Sequence, residues 1–341
     1  MLLRSLILIV GPMLLIAGSY CLTIGRELPQ RSSPDSTTEP AGDHFDIESL
    51  QAGVEAGLAP AGRPRTSQPL TSLTLKCDER VRQLREKLLS TDRIIVRPPF
   101  VIAGDCTEAV LDRIYTQTIL PTSRALRLAF FDKDPDEPVS ILLFSSDHTY
   151  RDASVKFDRR SSAHFYGYYV RPERRILLNI STGEGTLAHE LTHALAHFDF
   201  PEMPEWFDEG FASLFEEASF TEDELMLVGS SNWRLNHLLH AMKNRKLRSL
   251  EELITGRKVR SEHQAVDYAQ ARYFCLYLQN RGLLPFFYRR FRLNSDSDPS
   301  GLKTLCEVFN TTSLEEIDRD FRQWAIDLYQ QEHLAARGSA P

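Results

Sequence analysis

Residues 189–193 read His-Glu-Leu-Thr-His, and the residues around them give the segment the pattern of a two-sided helix. At about 100° per residue, His189, His193 and His197 form one stripe, while Leu187, Leu191 and Leu195, offset by two positions, form another roughly opposite. Such a helix packs its leucine side into a core and offers its histidine side to a cleft. Two imidazoles one turn apart can reach a common ion, and a glutamate beside the first can act on a water near it. A surface helix with solvated histidines fits the same spacing, so the neighbouring chain has to decide.

A metal site that does chemistry uses three protein ligands and leaves a position open, whereas a structural site closes four. The sequence has no Cys-x-x-Cys pair, which argues against a thiolate site. His197 is next on the stripe, but a helix climbs about 6 Å per four residues, too far for three successive turns to share one ion. It reads instead as a helix-end histidine near the negative end of the dipole. Asp199 and Glu202, in the loop that follows, are weaker candidates. Glu209 is the stronger one. After that loop, residues 205–212 read Glu-Trp-Phe-Asp-Glu-Gly-Phe-Ala, a second helix returning beside the first. Gly210 and Ala212 are small enough to let the two helices approach closely. Asp208 and Glu216 are near enough to accept the second ring N–H of a ligating histidine.

His189-Glu-x-x-His193 followed by Trp206-x-x-Glu209-Gly210-x-Ala212 resembles the glutamate-zincin metallopeptidases, and most closely the peptidase MA-like family. Pro204-Glu205-Trp206 matches the Pro-x-Trp that precedes the Glu-Gly in that family. The likeness covers residues 164–219 and weakens through about residue 292. It implies a zinc ion held by His189, His193 and Glu209. It also implies a peptide or protein substrate hydrolysed by a metal-activated water, with Glu190 as general base. Tyr268, in Asp267-Tyr-Ala-Gln-Ala271, stands where related zincins carry a transition-state donor, and His263 is a weaker alternative. Tyr268 also suits a core tyrosine among Tyr273, Phe274 and Tyr277. The segment 167–180 is similar to the family's edge hairpin, where an extended peptide can pair by its backbone. The Gly-Ala-Met-Glu-Asn segment of the aminopeptidases is absent, which favours an endopeptidase. A binding module that keeps the scaffold without turnover is the competing reading.

The rest of the chain sets the expected architecture. Short apolar runs at 93–103 (interrupted by Pro98-Pro99) and 139–144 read as strands, and 164–180 as a hairpin. Residues 77–89, 107–121 and 147–157 have helical spacing, and everything after Thr182 reads as helix. Hydroxyl–carboxylate pairs three apart (Thr221 with Glu224, Ser249 with Glu252, Ser313 with Glu316) mark helix starts. Ile317, Phe321, Trp324 and Leu328 form a core-facing stripe on the last helix. Strands first and helices later predict an α+β, zincin-like fold: a small N-terminal mixed sheet with an edge hairpin, then a mostly helical C-terminal lobe.

Residues 1–25 carry one basic residue, Arg4, before an apolar run of about 20 residues, and read as a signal peptide or a membrane anchor. Residues 26–72, rich in Pro, Ser, Thr, Gly and Ala, read as a flexible linker. Residues 73–335 remain for the metallopeptidase domain. The protein is therefore expected to be exported, held at the cell envelope or secreted. A formal net charge of −7 argues against a general nucleic-acid partner. Outside the leader, Cys77, Cys106, Cys275 and Cys306 are an even set. Pairing of sequence neighbours (Cys77 with Cys106, Cys275 with Cys306) is the simplest of three disulfide patterns, and four free thiols are the alternative. Asn179 and Asn310 stand in glycosylation sequons.

Overall fold

The structure is a computed structural model that describes residues 70–160, 166–222, 225–256 and 264–338, all within one compact unit spanning residues 47–341. The expected leader, most of the linker, and His263 lie outside the described residues. Among the described residues, no helix is long and apolar enough to cross a membrane.

Helix α1 (Leu70–Arg85) leads into β1 (Arg93–Arg97) and β2 (Phe100–Gly104). These are followed by α2 (Glu108–Ile114), α3 (Leu120–Ala129), β3 (Val139–Phe144), α4 (Asp147–Asp158), β4 (Gly167–Val170) and β5 (Arg175–Asn179). The five strands form one mixed sheet in the order β1-β2-β3-β5-β4. Its inner neighbours β2–β3 and β3–β5 are parallel, and the outer pairs β1–β2 and β4–β5 are antiparallel. The alternation of a strand sorts the side chains between two faces. Ile102, Ile141, Leu143, Ile176 and Leu178 join the large core, whereas Val101, Ala103, Leu142 and Leu177 join a smaller one with Cys77 of α1 and Tyr150 of α4.

Helix α5 (Glu184–Asp199) lies on the large-core face, where Leu187, Leu191 and Leu195 are buried as their stripe requires. The helical part follows as α6 (Glu205–Leu214), α7 (Arg234–Lys243), α8 (Leu250–Thr255), α9 (Gln264–Asn280), α10 (Leu284–Asn294), α11 (Leu302–Val308) and α12 (Leu314–Gly338). Ile317 and Phe321 of α12 are buried in the same core, with Trp324 and Leu328 packed against it. The observed class is the expected one: α+β, a small N-terminal mixed sheet and a helical C-terminal part.

Several local expectations differ. Pro98-Pro99 turns the run 93–103 into the β1–β2 hairpin, with Arg97 opposite Phe100. The helix expected to stop at Pro121 continues to Ala129. The turn before it, Tyr115–Ile119, widens to π geometry, which relieves the clash a proline ring makes with the carbonyl four residues back. The region after Thr182 is not all helix, because β6 (Ala218–Phe220) and β7 (Leu227–Gly229) pair as a small hairpin. Thr221 sits in that hairpin and not at a helix start; its hydroxyl accepts from the Met226 backbone N–H. Ser249 and Glu252 do form a complete capping box. Ser313 caps the Glu316 N–H, but the Glu316 carboxylate turns to Thr311 instead.

Among the described residues no disulfide forms: Cys77, Cys106, Cys275 and Cys306 are free thiols. Cys77 lies in the core on one face of the sheet and Cys106 on the other, which separates the first expected pair. Cys275 is buried with its sulfur against Gly210 on α6, and Cys306 is partly buried on α11. Asn179 is buried and accepts from Ser181, so its sequon offers no glycan site in the folded chain, whereas Asn310 is exposed.

Candidate metal centre

Helix α5 is fixed at both ends. At its start, Thr118 donates to Glu184. Gly185, one turn before His189, lies so close to the end of α6 that a Cβ there would stand 2.4 Å from the Glu216 carbonyl oxygen. At its end, Asp199 is wholly buried and accepts from the backbone N–H groups of Asp132 and Lys133 (2.9 Å each), from Tyr288 and from Arg292. Asp199 is thus a structural hub and not a metal ligand. Glu202 is exposed in the loop and joins no ligand group among the described residues.

Helix α6 returns antiparallel to α5, anchored by the Trp206 indole N–H on the Ser300 carbonyl (2.9 Å). The return brings three atoms together. His189 Nε2 and His193 Nε2 are 3.1 Å apart, and Glu209 Oε2 is 3.6 Å from each. A tetrahedral ion with bonds of about 2.1 Å holds its ligand atoms about 3.4 Å apart, so the triangle has the size a zinc ion needs.

The other ring nitrogens have carboxylates. His193 Nδ1 donates to Asp208 Oδ1 at 2.7 Å. Glu216 Oε1 lies 3.0 Å from His189 Nδ1, at an angle poor for a hydrogen bond, so this contact is chiefly ionic. With a carboxylate facing each Nδ1, both Nε2 atoms turn toward each other and toward an anionic oxygen. Three electron-rich atoms converging in a largely buried space are stable only around positive charge. Protons can supply it in the metal-free protein. Burial disfavours a charged His193, yet the Asp208 and Glu209 carboxylates push its pKa well above the ordinary value. His189 is raised likewise, with Glu216 prevailing over burial.

Burial pushes the Glu209 carboxyl up, but the hydrogen bond and charge of His193, with His189, bring it below its ordinary value. Glu216 is likewise opposed by burial and lowered to about 2 by His189 and Arg234. Glu190 goes the other way: it is buried beside the ligands, and the loss of hydration raises its pKa against the pull of the two histidines. Tyr268, from α9, brings its hydroxyl to the Glu209 carboxylate, and burial and that negative charge raise its pKa.

The structure therefore brings together His189, Glu190, His193, Glu209 and Tyr268, and places Asp208 and Glu216 behind the two histidines. Three contributors were not read from the sequence. Arg234, from the start of α7, pairs with Glu216, and nothing local in its segment signals this. Tyr169 of β4 packs beside His197 at a tilt, with ring centroids 5.7 Å apart. His197 donates to the second oxygen of Asp208 at 2.9 Å, a contact its place on the histidine stripe could have suggested.

Strand β4 is an edge of the sheet, and its register fixes which groups face outward. The Asn179 N–H donates to the Tyr166 carbonyl, so opposite residues Tyr166/Asn179, Tyr168/Leu177 and Val170/Arg175 are the hydrogen-bonded pairs. Gly167 and Tyr169 fall between them and turn their N–H and C=O groups away from β5.

Scans of protein-family models and of curated proteins return no match for this chain.

Proposed function

We propose that this chain is a zinc metallopeptidase of the glutamate-zincin type that cleaves within extended peptide or protein substrates. The observation that carries this reading is the triangle of His189 Nε2, His193 Nε2 and Glu209 Oε2, of zinc-binding size, with Glu190 buried beside it. Zinc at such a site supplies Lewis acidity, activating a water at neutral pH and polarising the scissile carbonyl. Glu190 takes the proton of the attacking water and hands it to the leaving amine. The Tyr268 hydroxyl, which stays protonated through the neutral range, donates to the developing oxyanion. The outward backbone groups of Gly167 and Tyr169 hold an extended substrate as an added strand. With the apolar run of residues 5–24 ahead of the domain, the peptidase acts outside the cytoplasm, tethered to the envelope or released.

The test is zinc stoichiometry of the full chain together with cleavage of an unfolded protein, with and without chelator. We expect one zinc per chain, chelator-sensitive cleavage, and a Glu190→Gln variant that keeps zinc and loses cleavage. A Glu190→Gln variant that cleaves normally refutes the role given to Glu190. Zinc binding without turnover on any peptide would favour a binding module on the same scaffold.

A further inference from the structure

Asp208 does not serve His193 alone. Its Oδ1 accepts from His193 Nδ1 at 2.7 Å and its Oδ2 from His197 Nε2 at 2.9 Å. An ionised carboxylate only accepts, so both rings donate to it. A carboxylate held through one oxygen keeps a broad, nearly two-fold rotor about its last torsion. Held through both oxygens, it has one orientation. That orientation fixes both the plane and the tautomer of the His193 ring, which must carry its proton on Nδ1 and present its lone pair from Nε2. The His197 side chain is about nine-tenths buried, and its remaining nitrogen, Nδ1, has no partner. Burying a polar atom unpaired costs free energy, about 1–3 kcal/mol. The chain bears that cost at a ring whose one polar contact among the described residues is with Asp208.

We propose that His197 is a positioning residue for the metal site: its Nε2–H clamps Asp208 so that His193 presents Nε2 to a divalent cation. The proposal rests on the zinc reading above. His193, His197 and Asp208 also form a group of potential ligand atoms. Their contacts of 2.7 and 2.9 Å are direct hydrogen bonds, too short to admit an ion, whose ligands stand about 3.4 Å apart. The His197 ring also packs against Tyr169 of the edge strand, so a test has to separate packing from hydrogen bonding.

Zinc affinity by competition with a chromophoric chelator, and the visible spectrum of the Co2+-substituted protein, make that separation in the full chain. His197→Phe keeps a ring against Tyr169 and deletes the donor. His197→Gln deletes the ring and places an amide N–H near the position of Nε2. We expect zinc affinity to fall about 10- to 100-fold in the Phe variant, with a shifted Co2+ spectrum, and to recover most of that loss in the Gln variant. Should the Phe variant not fold, His197→Leu, also apolar, replaces it in the comparison with Gln. A Phe or Leu variant with wild-type affinity and spectrum overturns the proposal, and so does a Gln variant no better than the apolar one. Wild-type protein that binds no zinc in the same titration removes the metallopeptidase reading and this inference with it. Wild-type binding matched by the apolar variant sinks this inference alone.

Discussion

Gly210 is where the packing of the helical part meets the metal centre, and Gly210→Ala tests that link. A Cβ at Gly210 would stand 2.7 Å from the Ala271 carbonyl oxygen, 2.8 Å from its carbon and 3.0 Å from Cys275 Sγ. Two of these three atoms are backbone of α9, which cannot swing aside as a side-chain tip can. Ordinary contact needs about 3.5 Å, so α6 and α9 must part by roughly half an ångström or more. The alanine gains about 1 kcal/mol in helix propensity, and overpacking costs about 1–3 kcal/mol, so the net loss of stability is small, up to about 2 kcal/mol. The effect on the site is larger. Glu209 precedes Gly210 and already stands 3.6 Å from both histidine nitrogens. Metal–ligand distances tolerate about 0.2 Å, so moving α6 by more than that removes or reorients the third ligand. We expect zinc affinity to fall about 100-fold, close to 2.7 kcal/mol, with the fold retained. Competition titration measures the affinity and urea unfolding the stability. A Gly210→Ala variant that binds zinc as tightly as wild type shows that the α6–α9 approach does not set the position of Glu209.

Other outcomes follow from the same geometry. Tyr268→Phe should lower kcat about 100-fold or more while zinc stays bound, since the hydroxyl acts on the oxyanion; unchanged kcat removes that role. In chelated protein, the Glu216 pKa of about 2 lies below its ordinary 4.5, so the folded state holds the ionised form more strongly. Its contribution to stability is complete above about pH 4.5 and is lost as the pH falls toward 2. Glu216→Gln should flatten the fall of urea stability across that window, and an unchanged slope contradicts the pairing with His189 and Arg234. Asp199→Ala leaves Arg292 and two backbone N–H groups without their buried acceptor and should cost about 3–5 kcal/mol, read as a lowered urea midpoint.

The residues visible in the sequence are those related by a helical period. His189, His193 and the leucine stripe needed only the 3.6-residue repeat, and Glu209 needed only a loop short enough to bring the next helix back, with Gly210 as a sign of close approach. Arg234 and Tyr169 reach the site through a hairpin and a sheet edge, relations with no period to read. Asp199 was legible as an acid near the ligands, but its partners Asp132, Tyr288 and Arg292 are far off in sequence, so its task was not. The capping signals show the same division. Thr221–Glu224 and Ser249–Glu252 have identical spacing, yet only the second starts a helix. After Ser249, Leu250, Leu253 and Ile254 all find a place in the core, whereas after Thr221 the next apolar residue, Leu225, is exposed. A cap offers hydrogen bonds that a turn can satisfy equally well, as Thr221 does with Met226. What selects the helix is the apolar face behind the cap having something to bury against, and that partner is set by the tertiary fold.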